Sequence, residues 1–188
     1  SQWLFQLLIY ILYRFSGYAG MIIFGSVITA LTWILILVPG FNSKKYFSIL
    51  LFGLISLLVV SIRLKLSPEL LSFFYLALEI LLIDLLKRGK KWALFPLPFL
   101  LLLWVNSEGL WPIYFVVLCA FLLEEILFIP DSWLRRNFPR ESDAKKSATN
   151  LTIALICSIP LAFANPYGYR GVLFPWTLFK EVAYPGSY

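Results

Sequence analysis

The chain has 188 residues, of which 61% are hydrophobic and only 14% are charged, and its formal net charge is +6. This composition is too apolar and too sparsely charged to cover the surface of an ordinary soluble domain. In a membrane protein excess Lys and Arg set the orientation, so the positive charge does not indicate nucleic-acid binding. The sequence has no His, the commonest metal ligand, and we predict neither a metal site nor a cofactor.

The first apolar run, from Trp3 to Phe15, is shorter than the roughly 20 residues that cross a bilayer comfortably. Its more polar residues recur at spacings of three and four, which places them on one helical face. We therefore predict an interfacial helix over residues 1–16, broken at Ser16–Gly17; a short buried span is the alternative. The residues on the polar face are Gln2, Gln6, Tyr10, Tyr13 and Arg14.

Longer apolar runs predict six membrane-spanning helices between residues 20 and 164. Pro96 and Pro98 are expected to kink or unwind the first half of the fourth helix. Residues 165–188, rich in aromatics, Gly and Pro, are expected to form an interfacial tail. The predicted fold is thus a single all-α domain, a polytopic helical bundle. The six runs are 20–38, 47–62, 70–86, 92–105, 110–129 and 148–164.

The basic residues fall unevenly on the two sides that such a bundle creates, eleven on one and five on the other. The positive-inside rule makes the richer side cytoplasmic. Both termini and the turns near residues 63–69, 106–108 and 165–170 then lie outside. The eleven are Lys44, Lys45, Lys87, Arg88, Lys90, Lys91, Arg135, Arg136, Arg140, Lys145 and Lys146, and the five are Arg14, Arg63, Lys65, Arg170 and Lys180.

The first polar cluster on the outer side contains Arg63, Lys65 and Glu69. Two cations beside a helix that starts at Pro68, with Ser67 as its cap, are suited to a phosphate or pyrophosphate group. The alternative is that both cations merely end helices and extend to the lipid headgroups.

Two further clusters are candidates on the same side. Asn106, Ser107 and Glu108 form the short elbow between two apolar runs, and Glu108 is a weak candidate for a general base. The helix dipole at the start of the next helix is a sufficient structural reason for that carboxylate. The third cluster, Asn165 to Arg170, has the composition of a turn, with low specificity for any function.

Glu79 lies about ten residues, and hence roughly 15 Å, into its predicted span. A carboxyl group near the middle of a bilayer is costly, so it is a functional candidate that should face other protein. The alternative is a protonated or hydrogen-bonded Glu between helices.

The other acidic residues in the spans have nearby basic residues. Asp84 precedes the basic pair at 87–88 by three and four residues, which predicts pairing along one helix. The glutamates at 124–125 are expected to reach the arginines at 135–136.

Five short motifs occur along the chain in a fixed order. They are Trp3-Leu4-x-Gln6 with the aromatic run after it, Gly17-Tyr18-Ala19-Gly20, Arg63 with Pro68-Glu69-Leu70, Trp104-Val105-Asn106-x-x-Gly109 and Asn165-Pro166-Tyr167-Gly168. In this order they resemble a bacterial family of multi-spanning proteins with the GT-C glycosyltransferase architecture, similar to protein mannosyltransferases and lipid A sugar transferases. The resemblance covers nearly the whole chain.

The resemblance implies a transferase that takes a sugar from a polyprenyl phosphate donor at the outer face of the bacterial inner membrane. Arg63 and Lys65 would then face the lipid phosphate, and Asn106, Glu108 and Asn165 would line the outer cavity. In that family the catalytic acid lies on a loop before the stretch that matches Trp3. The resemblance therefore implies that this sequence is a central piece of such a protein.

Two positions depart from the family pattern. Gln2 stands where the family has Glu, and Asn106-Ser107-Glu108-Gly109 stands where it has Asn-Leu-His-Gly. Both changes remove an expected acid–base group, although Glu108 offers a substitute for the His. The second hypothesis is therefore a non-catalytic subunit that packs against other membrane proteins, and a transporter, supported by Glu79 alone, is the third.

Overall fold

The computed structural model describes residues 2–41, 67–128 and 144–183, together with Phe47 and Leu51. Every regular element in these ranges is helical, which confirms the all-α prediction. The predicted span at 47–62 lies almost wholly outside the described residues. The α-helices are α1 Trp3–Phe41, α2 Pro68–Lys87, α3 Pro96–Ser107, α4 Pro112–Phe128, α5 Ala144–Leu161 and α6 Tyr169–Ala183.

Helix α1 has a kink at Gly17, where φ is 59° and ψ is −153°. Glycine adopts a positive φ without steric cost, so two helical arms of different direction join at this residue. The predicted break at Ser16–Gly17 is confirmed, and it separates an arm at 3–16 from an arm at 18–41. Along the second arm hydroxyls donate to the carbonyl four residues earlier, which satisfies them within the helix. The Ser26 hydroxyl donates to the Ile22 carbonyl, the Thr29 hydroxyl to the Gly25 carbonyl and the Thr32 hydroxyl to the Ile28 carbonyl.

The range Trp3–Val38 is the one helix among the described residues that is long and apolar enough to cross a membrane. Its second arm, 18–38, measures about 31 Å at 1.5 Å per residue, which matches the hydrocarbon core of a bilayer. Apolar helices near an N-terminus also occur as signal sequences. The helix therefore indicates membrane association without giving the number of spans.

Helix α2 covers the predicted run at 70–86 and begins at Pro68. Ser67 precedes it in an extended conformation, as predicted for a capping position, but its side chain makes no capping hydrogen bond. The predicted ion pair along the helix forms, because Arg88 Nε lies 2.7 Å from Asp84 Oδ2. Local spacing was sufficient to identify this pair.

The prolines alter the start of the fourth predicted span, as expected. Residues Lys91–Leu94 form a 3-10 helix, and α3 begins only at Pro96. Proline lacks an N–H and fixes φ, so the first turn of a helix accommodates it at lower cost than the interior does. Helix α3 ends at Ser107, and a short turn leads to α4 at Pro112.

The C-terminal part, predicted as an interfacial tail at 165–188, is described as far as Ala183 and is mostly helical. Most of it folds into α6, which contains Pro175. Three large side chains spaced four and three residues apart are exposed, so they share one face of the helix. This exposed apolar face agrees with the expected interfacial character. The three side chains are Tyr169, Leu173 and Trp176.

The core lies between α2, α3, α4 and α5, with the first arm of α1 packed against it. Ser72 near the start of α2 contacts Trp104 near the end of α3, so these two helices are antiparallel. Lys87 at the end of α2 contacts Glu124 near the end of α4. We call the end of the bundle that holds Trp104 the tip end, and the end that holds Lys87 the basic end.

Candidate functional site

The elbow between α3 and α4 is buried and does not project as an exposed polar tip. Asn106, Ser107 and Glu108 are 6%, 0% and 4% exposed, respectively. The sequence interpretation placed these side chains at an open surface, and the structure corrects it. The reason is packing: the starts of α1 and α2 and the end of α5 surround the elbow and supply polar partners.

Glu108 stabilises the turn that leads into α4. Its backbone is extended, with φ −159° and ψ 159°, so the chain leaves α3 at this residue. Its Oε2 accepts a hydrogen bond from Leu110 N at 2.6 Å and another from Ser72 Oγ at 2.7 Å. Ser72 Oγ in turn accepts the indole N–H of Trp104 at 2.9 Å. This carboxylate oxygen is therefore occupied by contacts within the protein.

Asn106 connects three segments that are far apart in sequence. Its Oδ1 accepts the indole N–H of Trp3 at 2.8 Å. Its Nδ2 donates to the carbonyl of Ala164 at 3.0 Å and to that of Leu102 at 2.8 Å. One amide thus joins the start of α1, the end of α3 and the turn after α5. We call the contacts of Asn106 with Trp3 and Ala164 the amide junction.

Ser107 adds a further link between α3 and α2. Its hydroxyl lies 3.2 Å from the Tyr75 hydroxyl and donates to the carbonyl of Leu103 at 2.7 Å. The Tyr75 ring also packs against the Trp104 ring, with centroids 5.8 Å apart. Ser72 and Tyr75 were missed in the sequence analysis. Their spacing of three on one helical face was a signal, but serine and tyrosine on an apolar helix are common.

A cavity of about 410 Å³ lies beside the amide junction, between the start of α1 and the start of α6. Such a volume is within the range of small-ligand pockets. Its polar lining residues are Gln2, Gln6, Tyr167 and Arg170, while Trp3 and Phe174 supply aromatic surface. Arg170 Nε also donates to the Tyr169 hydroxyl at 3.4 Å. The residues that line the cavity are Gln2, Trp3, Gln6, Tyr167, Arg170, Gly171 and Phe174.

Asn165 shapes the turn that brings Arg170 to this cavity. Its Oδ1 accepts the Tyr167 backbone N–H at 2.9 Å, and its Nδ2 donates to the Gly168 carbonyl at 3.2 Å. Gly168 has a φ of 53°, which favours glycine. A Cβ at Gly171 would overlap the Asn165 side chain, so the turn packs directly on α6. Asn165 therefore holds the cavity wall.

Of the first predicted cluster, Arg63, Lys65 and Glu69, the structure describes only Glu69. Arg63 and Lys65 lie outside the described residues, so their predicted phosphate contact stays a prediction. Glu69 is exposed in the first turn of α2, where the helix dipole favours a carboxylate. Of the predicted outer residues, Asn106, Glu108, Asn165 and Arg170 are the ones that lie at the tip end around the amide junction and its cavity.

Glu79 is fully buried, as predicted for a residue that faces protein and not lipid. Neither of its carboxyl oxygens has a hydrogen-bond partner within the described ranges. Elsewhere in the core, the Tyr114 and Ser158 hydroxyls are hydrogen bonded to each other at 2.9 Å, linking α4 to α5. A functional role for Glu79 stays a prediction.

At the basic end the two adjacent glutamates share a partner that the sequence analysis did not name. Glu124 Oε2 and Glu125 Oε1 lie 2.8 Å and 3.1 Å from Lys87 Nζ. The sequence analysis paired these glutamates with the arginines at 135–136, which lie outside the described residues. The Lys87 ammonium is also 5.0 Å from the centroid of the Phe121 ring. Lys87, at the end of α2, is thus one partner of both glutamates, and sequence spacing gives no signal for it. The pairing with the arginines at 135–136 stays a prediction.

The chain was compared with protein families, curated proteins and solved structures. No family model, curated protein or solved structure matches the chain. A proposal for its function therefore rests on the geometry of the tip end and on the resemblance carried by its motifs.

Proposed function

We propose that the chain is the membrane core of a GT-C-like glycosyltransferase, which binds a polyprenyl phosphate-linked sugar at the outer face of the bacterial inner membrane. The observation that carries this proposal is the amide junction. It joins Trp3, Asn106 and the segment that begins at Ala164, so three motifs of the resemblance meet at one end of the bundle. A cavity that Arg170 helps to line lies beside them.

The proposed core crosses the membrane six times, with both ends of the sequence on the outer face. In support, five of the six predicted runs coincide with helices, namely the second arm of α1 and the regions of α2, α3, α4 and α5. The bundle also separates its charges: six basic residues lie at or near the basic end, where α2 ends and α5 begins. They are Lys87, Arg88, Lys90, Lys91, Lys145 and Lys146.

In this proposal the cavity residues bind the donor. Arg170 supplies the cation for the lipid phosphate, since a guanidinium forms strong charge-assisted hydrogen bonds with phosphate oxygens. The Gln2 and Gln6 amides are positioned for hydrogen bonds to sugar hydroxyls. Arg63 and Lys65 are proposed as further phosphate contacts on the same face. Glu108 is assigned a positioning role in this proposal, because its Oε2 accepts two hydrogen bonds that hold the elbow.

The second candidate is a non-catalytic subunit of a larger membrane complex. It is favoured by the cavity lining, which includes no acidic side chain among the described residues. The buried state of Glu108 points the same way. A subunit of this kind needs the rigid tip end for packing and has no need to bind the donor.

Binding of polyprenyl phosphate separates the two candidates. The purified protein in neutral detergent is titrated with polyprenyl phosphate, and with the polyprenyl alcohol as the control lacking the phosphate. We expect the phosphate to bind tighter, and Arg170→Gln to weaken its binding about tenfold. Arg14→Gln is the matched control, because Arg14 is exposed, contacts Tyr10 and does not line the cavity. Equal binding of phosphate and alcohol would favour the non-catalytic subunit.

The topology is tested separately with single cysteines in a background lacking Cys119 and Cys157. Tyr167 is a better outer probe than Ser107, because Tyr167 is 54% exposed and Ser107 is buried. An impermeant maleimide applied to intact cells should label Tyr167→Cys and leave Lys145→Cys unlabelled. Labelling at residue 145 would contradict the proposed orientation.

A further inference from the structure

A second cavity lies at the basic end, far from the amide junction. It has a volume of about 430 Å³ and lies between the end of α2, the 3-10 helix and the start of α5. Gly89, with a φ of 83°, turns the chain after α2 and so brings the 3-10 helix beside α5. The residues that line this basic cleft are Leu86, Lys87, Gly89, Lys91, Lys145, Lys146, Ser147, Thr149 and Asn150.

The basic cleft has an excess of positive charge. Lys87 is neutralised by Glu124 and Glu125, so its ammonium is already engaged. Lys91 and Lys145 are exposed, and within the described ranges neither has a carboxylate at ion-pair distance. The described residues that line the cleft include no acidic side chain. The lining therefore attracts an anion that the described residues do not provide.

The position of the cleft indicates the kind of anion. Trp92, next to Lys91 in the 3-10 helix, is 57% exposed. Exposed Trp beside Lys is typical of the headgroup level of a membrane, and basic pockets between helices on the cytoplasmic side bind anionic headgroups. Asn150 and Ser147 add neutral polar groups to the same wall. The volume exceeds that of an isolated phosphate and suits a phosphate ester.

We infer that the basic cleft binds the phosphate group of an anionic phospholipid headgroup at the face of the membrane opposite the amide junction. The inference rests on the proposed membrane orientation and not on sugar transfer. The same chemistry would accept a soluble phosphate ester, so the test includes both sources. Each lysine near a headgroup contributes about fivefold to binding, so two contribute roughly 25-fold.

The test compares two double variants that remove equal charge from the same end. Lys91→Gln with Lys145→Gln changes the cleft, whereas Arg88→Gln with Lys90→Gln changes exposed residues that do not line it. Native mass spectrometry of the purified protein in neutral detergent measures binding of phosphatidylglycerol. Phosphatidylcholine of the same acyl chains is the zwitterionic control, whose phosphate is offset by a choline cation. Sodium phosphate at matched ionic strength is the soluble competitor.

We expect the parent to prefer phosphatidylglycerol, the cleft variant to bind it roughly 25-fold more weakly, and the control variant to change less than about threefold. Displacement of the lipid from the parent protein by millimolar phosphate would support anion binding in the cleft. The ligand would then be a soluble phosphate ester and not a lipid headgroup. Equal loss in both double variants would overturn the inference, as would equal binding of the two lipids by the parent. If the cleft double variant does not fold, Lys145→Gln is tested alone. We expect it to weaken phosphatidylglycerol binding about fivefold.

Binding of polyprenyl phosphate in the same preparations separates this inference from the proposed function. The cleft variant should retain the Arg170-dependent binding of that lipid. The parent protein could bind phosphatidylglycerol through the cleft lysines and yet show no Arg170-dependent binding of polyprenyl phosphate. That result would support the lipid site in the cleft and refute the proposed donor site.

Discussion

The contact between α2 and the elbow gives a quantitative prediction for Ser72→Ala. Ser72 Oγ accepts the Trp104 indole N–H at 2.9 Å and donates to Glu108 Oε2 at 2.7 Å. All three side chains are buried, so water cannot replace the lost hydroxyl. The neutral hydrogen bond is worth about 1 kcal/mol and the charge-assisted one about 1.5 to 3 kcal/mol in soluble proteins.

Measured hydrogen bonds between membrane helices are weaker, at about 0.6 kcal/mol on average and about 1.7 kcal/mol at most. Ser72→Ala removes a buried hydrogen-bond partner from both the Glu108 carboxylate and the Trp104 indole. We therefore expect it to lower the free energy of unfolding by about 2 kcal/mol, near the upper end of the values for membrane helices. The assay is reversible unfolding in mixed micelles, titrated with sodium dodecyl sulfate and followed by circular dichroism.

The matched control is Ser26→Ala, since the Ser26 hydroxyl is exposed and donates only to Ile22 O within its own helix. Its effect on the free energy of unfolding should stay within about 0.5 kcal/mol. A double-mutant cycle with Trp104→Phe should give a coupling energy of at least about 0.5 kcal/mol. If Ser72→Ala changes stability no more than Ser26→Ala does, the buried network does not hold the elbow, and the argument for it fails.

Two further predictions use the same unfolding assay. Glu79→Leu should raise the free energy of unfolding by about 1 to 3 kcal/mol. The reason is that it removes a buried carboxyl group that has no hydrogen-bond partner within the described ranges. A clear decrease in the free energy of unfolding would contradict this prediction. Lys87→Met should lower it by about 3 kcal/mol, because the fully buried Glu125 side chain loses this ammonium. Adding Glu125→Gln should restore part of that loss, and no recovery would argue against the pair.

The sequence alone was sufficient for features that depend on neighbouring residues. Gly17 breaks α1 and Pro96 begins α3 because backbone stereochemistry acts within one or two residues. The Asp84–Arg88 pair follows from the helical repeat. The inward orientation of Glu79 follows from the cost of exposing a carboxyl group to hydrocarbon. The break at Gly17, the Asp84–Arg88 pair and the inward orientation of Glu79 were predicted, and each is present in the structure. For Pro96 and Pro98 the prediction was a kinked or unwound first half of the fourth span, and the structure places the start of α3 at Pro96.

The partners of the polar side chains were decided only by the tertiary structure. Trp3 and Asn106 are 103 positions apart, and only the packing of α1 against the elbow brings the indole to the amide. Lys87 pairs with Glu124 because α2 and α4 end at the same level of the bundle. A helical repeat fixes which face a residue occupies, but the packing of helices fixes which faces meet. That is why the elbow, predicted as an open polar tip, is instead buried and hydrogen bonded.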